Sequence, residues 1–238
     1  MHIAIRVLQS VLLGHLAACV AAPDKGASDL SAEQILGRIE KKISDAATIR
    51  ADYSIEGIPF SKDARTLASA TGTIEVKKGG KLRVLGETRL GKDSMETGTV
   101  SDGKRYQGWS GNAGSAPKPT PKSMDACSRA WFSTLTLISL SLLGTPDRDK
   151  DFREIFKVVR LSIGDDDAGL KTLKAEYQAT VPGGPVPTLR IWYDPRTLLI
   201  VKRTLSSSKG EVQIEITETF RNIQLDVNLP DDLFLVQE

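Results

Sequence analysis

The sequence predicts an α+β protein in which a strongly curved antiparallel sheet, an unclosed half-barrel of roughly nine to eleven strands, is covered by two or three helices. Two observations carry this prediction: an amphipathic helical segment near residue 35, and two series of short alternating segments separated by tight turns. The 238 residues, 40% hydrophobic and 26% charged, are typical of a globular chain. A sheet of that size is expected to curl, because a flat open sheet exposes its edges and its apolar face.

The first eighteen residues have the layout of a secretory signal peptide. Residues 1–6 carry positive charge, and residues 7–18 form an uncharged, mostly apolar run that is too short to span a bilayer. The sequence Leu16-Ala17-Ala18-Cys19 resembles the bacterial lipobox, whose cysteine receives diacylglycerol and becomes the first mature residue. We therefore predict lipidation of Cys19. Cleavage after Ala21, giving a soluble secreted protein, is the alternative.

Residues 19–30 are small and polar and are interpreted as a lipidated tether. A flexible chain of about eleven residues has a root-mean-square reach of roughly 15–20 Å. We expect it to hold a single domain, residues 31–238, close to a membrane surface.

The domain begins with a predicted helix and a predicted strand. Ser31 followed by Gln34 forms a capping-box pattern. Apolar residues then recur at helical spacing at Ile35, Leu36, Ile39 and Ile43. From Thr48 the period changes to two, and the apolar positions of this strand are Ile49, Ala51, Tyr53 and Ile55.

Further strands are predicted in two meanders. The first continues through residues 70–77, 81–85, 97–101 and 104–109, with Asp102-Gly103 as a hairpin turn. Residues 110–122 are interpreted as a mobile loop or lid, and the uncharged residues 130–143 favour a helix over a strand. The second meander is predicted at residues 157–163, 170–181, 189–193, 198–205 and 211–220.

The composition argues against nucleic-acid binding, catalysis and metal binding. The formal net charge is +2 and no long run of like charge occurs, so nucleic acid is not an expected partner. Both histidines, His2 and His15, lie within the predicted signal peptide, and the mature chain would have no imidazole for catalysis or metal binding. The run Asp165-Asp166-Asp167 does not have the ligand spacing of a calcium loop and favours a solvated turn. We therefore expect no enzyme, no cofactor and no metal site.

Several stretches together resemble the bacterial lipoprotein-carrier superfamily, which includes LolA, LolB and lipid-anchored envelope relatives. These stretches are residues 35–53, Thr99 through Lys104, Ile191-Trp192-Tyr193-Asp194-Pro195, residues 199–202, and the tail from Phe220 through Asn228-Leu229-Pro230 to Phe234. The resemblance is weak and gapped but runs in order over residues 31–238. It implies an unclosed barrel, capped by helices, whose apolar cavity holds acyl chains. The Cys19 lipobox departs from the soluble carrier and is similar to the anchored members.

The sequence thus predicts a monomeric envelope lipoprotein, anchored to a membrane through Cys19 and facing the periplasm. Its expected partner is a lipid or an acylated lipoprotein, bound for transport or receipt at a membrane. Burial of a sixteen-carbon chain such as palmitate could contribute at most about 12 kcal/mol, at about 0.8 kcal/mol per CH₂. The candidate cavity residues, for each of which plain core packing is the alternative, are Tyr53, Leu82, Val84, Trp109, Trp131, Leu135, Ile138, Leu142, Ile191 and Tyr193. The alternative function is a non-catalytic protein-binding or regulatory module on the same fold.

Overall fold

The chain divides into two compact units, Met1–Leu30 and Ser31–Glu238. The structure is a computed structural model, which describes residues 30–59, 67–122, 124–130, 132, 156–179, 187–209 and 212–237. The predicted signal peptide, Cys19, nearly all of the tether and nearly all of the helix predicted for residues 130–143 lie outside the described residues. Every element described below belongs to the second unit.

Helix α1, Ala32–Asp45, begins at the predicted capping box. The Ser31 hydroxyl accepts a hydrogen bond from the Gln34 backbone N–H, and the Gln34 side chain accepts one from the Ser31 backbone N–H. These two bonds satisfy donors that the first helical turn leaves without helical partners. One stripe of the helix is buried, at Ala32, Ile35, Ile39 and Ile43, which confirms the predicted apolar face.

The first meander contains five long strands and two very short ones. They are β1 Thr48–Pro59, β2 Leu67–Lys77, β3 Lys81–Leu90, β4 Asp93–Asp102, β5 Arg105–Ser110, β6 Ala113–Gly114 and β7 Lys118–Pro119. Strands β6 and β7 both pair with β5. They occupy the segment predicted as an unpaired loop, so that prediction was wrong at these four positions.

The second meander contains the five predicted strands. They are β8 Phe156–Ile163, β9 Lys171–Ala179, β10 Thr188–Asp194, β11 Leu199–Lys209 and β12 Val212–Leu225. Each pairs antiparallel with its neighbour along the chain. Strands β11 and β12 extend beyond their predicted ends, because the alternation of apolar and polar residues is a weaker boundary signal than backbone pairing.

The two meanders join through the first and last strands of the domain. Strand β1 pairs with β12 in a register that places Ile49 opposite Leu225 and Tyr53 opposite Phe220. The result is one 12-stranded antiparallel sheet with the order β6-β5-β4-β3-β2-β1-β12-β11-β10-β9-β8 and with β7 beside β5. The sheet does not close among the described strands, since β6 and β8 lie at opposite ends of this order. The predicted open, curved half-barrel is confirmed.

Strand register divides the side chains between two faces, because successive residues of a strand point to opposite sides. We call the face that carries Ile49, Ala51, Tyr53 and Ile55 of β1 the inner face, and the opposite one the outer face. In the other strands the buried apolar residues of the inner face include Ile74, Val76, Leu82, Val84, Leu173, Ala175, Leu189, Ile191, Leu205, Ile216 and Phe220. The inner face therefore continues across both meanders.

The helical cover within the described residues is smaller than the sequence predicted, and nearly all of the helix predicted at residues 130–143 lies outside them. Two or three covering helices were expected, but the described residues contain one long helix, α1, beside the seven-residue α2, Met124–Ala130. The Arg129 guanidinium of α2 donates to the backbone carbonyls of Ile43, at 3.1 Å, and Ala46, at 2.7 Å. It thereby satisfies acceptors that the end of α1 leaves without helical partners and connects the two helices.

The C-terminal segment crosses the outer face of β2, β3 and β4. Its short 3-10 turn, Asp231–Phe234, is flanked by two buried residues, Leu229 and Val236. The Asp231 carboxylate forms ion pairs with Lys77, at 2.7 Å, and Lys81, at 2.8 Å. The hydrogen bonds from Lys77 and Lys81 lower the pKa of Asp231 to about 2. Apolar burial and these ion pairs together hold the segment on the sheet.

Candidate functional site

The structure brings five of the predicted cavity residues to the inner face. All five are buried, with side chains at most 4% exposed. They are Tyr53, Leu82, Val84, Ile191 and Tyr193. Another four candidates, Trp131, Leu135, Ile138 and Leu142, lie outside the described residues.

Trp109 lies on the outer face, unlike the five candidates on the inner face. It pairs with Gly98 of β4, which pairs in turn with Leu85 of β3. Leu85 follows Val84 directly, so it points to the outer face while Val84 points inward. The prediction that Trp109 shares a wall with Val84 is therefore corrected. Alternation within one strand could not have revealed this, because the relation between faces depends on register across two hairpins.

The inner face also holds a buried ion pair that sequence reasoning missed. Arg203 of β11 lies opposite Glu218 of β12, and the Arg203 Nη2 to Glu218 Oε2 distance is 2.6 Å with both side chains 0% exposed. The signal was present in the alternation, since Glu218 falls between Ile216 and Phe220 at the apolar positions of β12. A charge at an apolar position of a strand is costly without a partner, so its partner could have been sought at the facing position of the next strand.

Two aromatic rings pack against each other on this face, and a third aromatic residue lies opposite one of them in the strand register. Phe132, just after α2, packs on Phe220 with ring centroids 5.5 Å apart and an interplanar angle of 41°. The Arg203 guanidinium carbon lies 5.1 Å from the centroid of the Phe220 ring, within the range of a cation–π interaction. Tyr53 lies directly opposite Phe220 in the β1 to β12 register. These side chains are buried and mostly apolar, and the Arg203–Glu218 ion pair lies beside them.

The Tyr53 hydroxyl is a buried polar group on the mostly apolar inner face. It has no hydrogen-bond partner among the described residues. Burial raises the pKa of Tyr53 to about 12, so the hydroxyl keeps its proton at neutral pH. It is consequently a neutral hydrogen-bond donor.

A separate groove lies on the outer face. Its volume is about 640 Å³, and it lies open to solvent between β3, β4, β5 and the C-terminal segment. The Trp109 indole forms part of its wall and lies against Gly98, where an added Cβ would overlap the ring. The remaining lining residues are Arg83, Leu85, Val100, Gln107, Asp232, Leu233, Leu235 and Gln237.

The aspartate run has structural contacts in the turn before β9. Asp166 forms an ion pair with Lys171, and the Asp167 carboxylate accepts a 2.9 Å hydrogen bond from the Trp192 indole N–H. The Asp165 carbonyl accepts a hydrogen bond from the Thr172 hydroxyl. Among the described residues, no group of three or more His, Cys, Asp and Glu side chains is placed to hold a metal ion.

The described part of the chain contains no helix with both the length and the apolar character needed to cross a membrane.

Comparison with known proteins gives likenesses of fold. No family model and no curated protein matches the chain. Among solved structures, the chain is similar to LprF from Mycobacterium bovis, with 13% identity, a TM-score of 0.44 and coverage of 84% of this chain and 94% of that one. It is also similar to the LolA superfamily protein NE2245 from Nitrosomonas europaea, with 9% identity, a TM-score of 0.35 and coverage of 87% and 98%.

A third similar structure is a putative outer membrane lipoprotein-sorting protein domain from Vibrio parahaemolyticus, with 9% identity, a TM-score of 0.30 and coverage of 86% and 95%. At these identities the likeness concerns the fold alone. The open half-barrel described above is the architecture that the sequence resemblance to the LolA and LolB superfamily implied.

Proposed function

We propose that this chain is a cell-envelope lipoprotein that binds lipid or lipoprotein acyl chains along the inner face of its half-barrel, without covalent chemistry. The bound chains would be received or transported at a membrane. The observation that supports this proposal is a continuous apolar inner face on a sheet that stays open among the described strands.

Eleven strands lie along the sheet order, and at about 4.8 Å between neighbours they span an arc of about 50 Å. Helix α1 has 14 residues, which makes it about 21 Å long and about 10 Å wide. With α2 beside it, the described helical cover spans about 20 Å of that arc. The apolar residues named above for the inner face are buried within the protein, at most 7% exposed, so a bound acyl chain would take the place of part of their present cover.

The inner face suits a hydrocarbon chain because such a chain binds through apolar contacts and needs no hydrogen bonds. Its ion pair is internally compensated, with both partners held by the sheet, and the surrounding side chains are aliphatic or aromatic. Burial of each CH₂ from water contributes about 0.8 kcal/mol. This gain is opposed by the entropy lost when the chain becomes ordered and by the affinity of the same chain for the membrane. Exchange of an acyl chain with a membrane requires its binding free energies to the protein and to the membrane to be nearly equal.

Binding can be tested on the full chain extracted from membranes in mild detergent. Lipid extracted from the purified protein is identified by mass spectrometry, and the delipidated protein is titrated with a fluorescent palmitoyl probe. We expect co-purified acyl lipid and saturable probe uptake that unlabelled palmitate reverses. Absence of both would refute the proposal.

A matched pair of variants locates the bound chain. Val84, on the inner face, and Val100, in the wall of the outer groove, are both buried valines on adjacent strands. We expect Val84→Phe to lower probe capacity and Val100→Phe to leave it unchanged, with thermal melts confirming that both variants fold. The opposite result would place the ligand in the outer groove.

Membrane attachment through Cys19 is part of the proposal and has its own test. Cys19→Ser removes the thiol that would carry diacylglycerol, so the variant should leave the membrane fraction and lose the mass of the lipid. An unchanged distribution and mass would contradict the anchor. We propose that the anchored domain faces the periplasm as a monomer.

The outer groove favours a second candidate function, recognition of a protein partner. A volume of about 640 Å³ is in the range of specific binding pockets, and tryptophan is enriched at the energetic centres of protein interfaces. A photo-reactive residue at Gln107 in living cells should then yield one defined protein adduct, which Trp109→Ala abolishes. A diffuse set of adducts that ignores Trp109→Ala would contradict it.

A further inference from the structure

Strand β8 is an exposed edge of the sheet. It stands at one end of the strand order, and among the described strands only β9 pairs with it. Of the four large apolar residues that are exposed in the described part of the chain, three lie on β8: Val158, at 38%, Val159, at 54%, and Ile163, at 49%. An edge strand with exposed apolar side chains and unpaired backbone groups is a template for pairing with another chain.

The opposite end of the sheet is protected by the chain itself. There β6 and β7 both pair with β5. Between these two short strands the Ser115 backbone N–H donates to the Gly108 carbonyl, at 2.8 Å. Pro119 of β7 has no N–H and therefore discourages further pairing. The residues that the structure describes provide no such cover for β8, and β8 itself contains no proline.

The pairing of β8 with β9 shows which of its backbone groups are free. The Gly164 N–H donates to the Thr172 carbonyl, at 3.0 Å, and in an antiparallel pair the residues that exchange hydrogen bonds alternate with residues that do not. The N–H and C=O groups of Leu161 and Ile163 therefore point away from β9, toward the free side of the edge.

The side chains of the same two residues are apolar and belong to the inner face. Leu161 lies opposite Ala175, and Ile163 lies opposite Leu173. A bound acyl chain can cover these side chains, but its hydrocarbon has no groups that bond to the free backbone. An added β-strand supplies both the apolar cover and the hydrogen bonds.

The outer side of this edge carries a cation. Arg160 directly follows a β-bulge and lies opposite Glu176 of β9. Glu176, however, forms an ion pair with Lys174, at 3.0 Å. Arg160 is exposed and makes no ion pair with any residue that the structure describes. Strand β8 contains no Asp or Glu, so pairing with the β8 strand of a second copy would bring no carboxylate to Arg160. Charge complementarity therefore favours a different, acidic segment.

We propose that β8 binds an extended segment of a partner protein as an additional antiparallel strand. Because the two strands run in opposite directions, the segment faces Ile163, Leu161 and Arg160 in that order. Alternation of side chains between the faces then requires an apolar residue, any residue, an apolar residue and an acidic residue in succession. This interaction is separate from acyl-chain binding and does not depend on it.

The test uses an acetylated and amidated peptide, Thr-Val-Thr-Val-Glu-Thr, added to the full chain in mild detergent. Hydrogen exchange of β8 is followed by mass spectrometry. The Leu161 and Ile163 amides should exchange freely in the protein alone and become protected when the peptide is present at millimolar concentration. N-methylation of both valines removes the N–H groups that face β8 and should abolish this protection. N-methylation of the central threonine and the glutamate, whose N–H groups face away, should preserve it.

An exchange of charges assigns the acidic position to Arg160. In competition against a fluorescein-labelled peptide, the wild-type protein should bind the Glu peptide about two- to five-fold more tightly than the same peptide with Lys in place of Glu, the usual effect of an exposed ion pair. Arg160→Glu should reverse this preference. Arg190→Glu, two strands away on the same face, should keep it. Both arginines are exposed, so both variants should melt at the wild-type temperature.

Each other outcome overturns the proposal. If the β8 amides are already protected in a peptide-free monomer, the chain covers its own edge. The same protection in a dimer, detected by analytical ultracentrifugation, assigns the edge to a second copy. Protection by the peptide at β5 and the C-terminal segment, and not at β8, places peptide binding in the outer groove. If the peptide protects no part of the chain, or if Arg160→Glu leaves the charge preference unchanged, β8 is not the docking strand described here.

Discussion

Removal of one partner from the Arg203–Glu218 ion pair should destabilise this protein far more than removal of an exposed pair of the same length. Glu218→Gln leaves the Arg203 charge in an interior where both side chains are 0% exposed. Loss of one partner from a buried pair typically costs about 3–5 kcal/mol. That is a large part of the total of about 5–15 kcal/mol that stabilises a typical native protein.

The chain offers an exposed control pair with the same shortest nitrogen-to-oxygen distance. Lys41 Nζ and Asp45 Oδ2 of α1 are also 2.6 Å apart, but their side chains are 75% and 62% exposed. Solvent screens an exposed pair of this spacing, so Asp45→Asn should cost at most about 0.5 kcal/mol. The comparison contrasts a fully buried ion pair with an exposed one of the same shortest distance.

The free energy of unfolding is measured by urea denaturation, with the slope compared between variants. A third variant carries both Arg203→Met and Glu218→Leu, which removes both charges and keeps apolar volume. It should be as stable as the wild-type protein, or more stable by up to about 4 kcal/mol. If Glu218→Gln costs no more than Asp45→Asn, the pair is not buried as the structure has it and the reasoning is refuted.

Three further predictions concern local features. Gly86→Ala should destabilise the protein by about 1–3 kcal/mol through overlap with Tyr53. Gly37→Ala, at an open position of α1, should stabilise it by about 0.5–1 kcal/mol. Equal effects in urea denaturation would contradict the close contact between Gly86 and the Tyr53 hydroxyl. Ser31→Ala should cost about 1 kcal/mol by removing the capping box, measured in the same way, and no loss would mean that the cap is not formed. The pKa of Asp231, lowered to about 2 from its ordinary 3.8 by Lys77 and Lys81, implies stability that is complete above about pH 4 and is lost as the pH falls toward 2. Asp231→Asn should lack this part of the acid dependence of the urea midpoint, and an unchanged dependence would exclude Asp231 as its source.

Local elements were predictable because their signals are local. The capping box at Ser31, the hairpin at Asp102-Gly103 and the alternation that begins at Ile49 each depend on residues a few positions apart. Turn chemistry and side-chain alternation act at that range. Most strands of both meanders were therefore placed correctly to within a few residues.

The short strands β6 and β7 were missed for a related reason. Their four residues, Ala113, Gly114, Lys118 and Pro119, have low intrinsic preference for strands. They pair because β5 presents a free edge beside them. A neighbouring strand, and not the composition of the segment, decides whether such residues pair.

The site was partly predictable. Alternation marked Tyr53, Leu82, Val84, Ile191 and Tyr193 as apolar strand positions, and the structure places them buried on one face; that they line a cavity stays a prediction. Trp109 lies on the other face, a relation that two intervening hairpins set. The Tyr53 hydroxyl lies close to Gly86, two strands away, a contact that no single strand reveals.

The amino-acid order alone determined where α1 and the longer strands form, since capping, turn and periodicity signals are encoded within a few residues. The tertiary structure decided which of those elements pair with one another and in which register. The pairing of β1 with β12, which unites the meanders, brings together residues about 170 positions apart, such as Tyr53 and Phe220. The placement of Glu218 beside Arg203 depends on the register of β11 and β12. Contacts of this kind depend on interstrand register and on burial in three dimensions, which are properties of the assembled sheet.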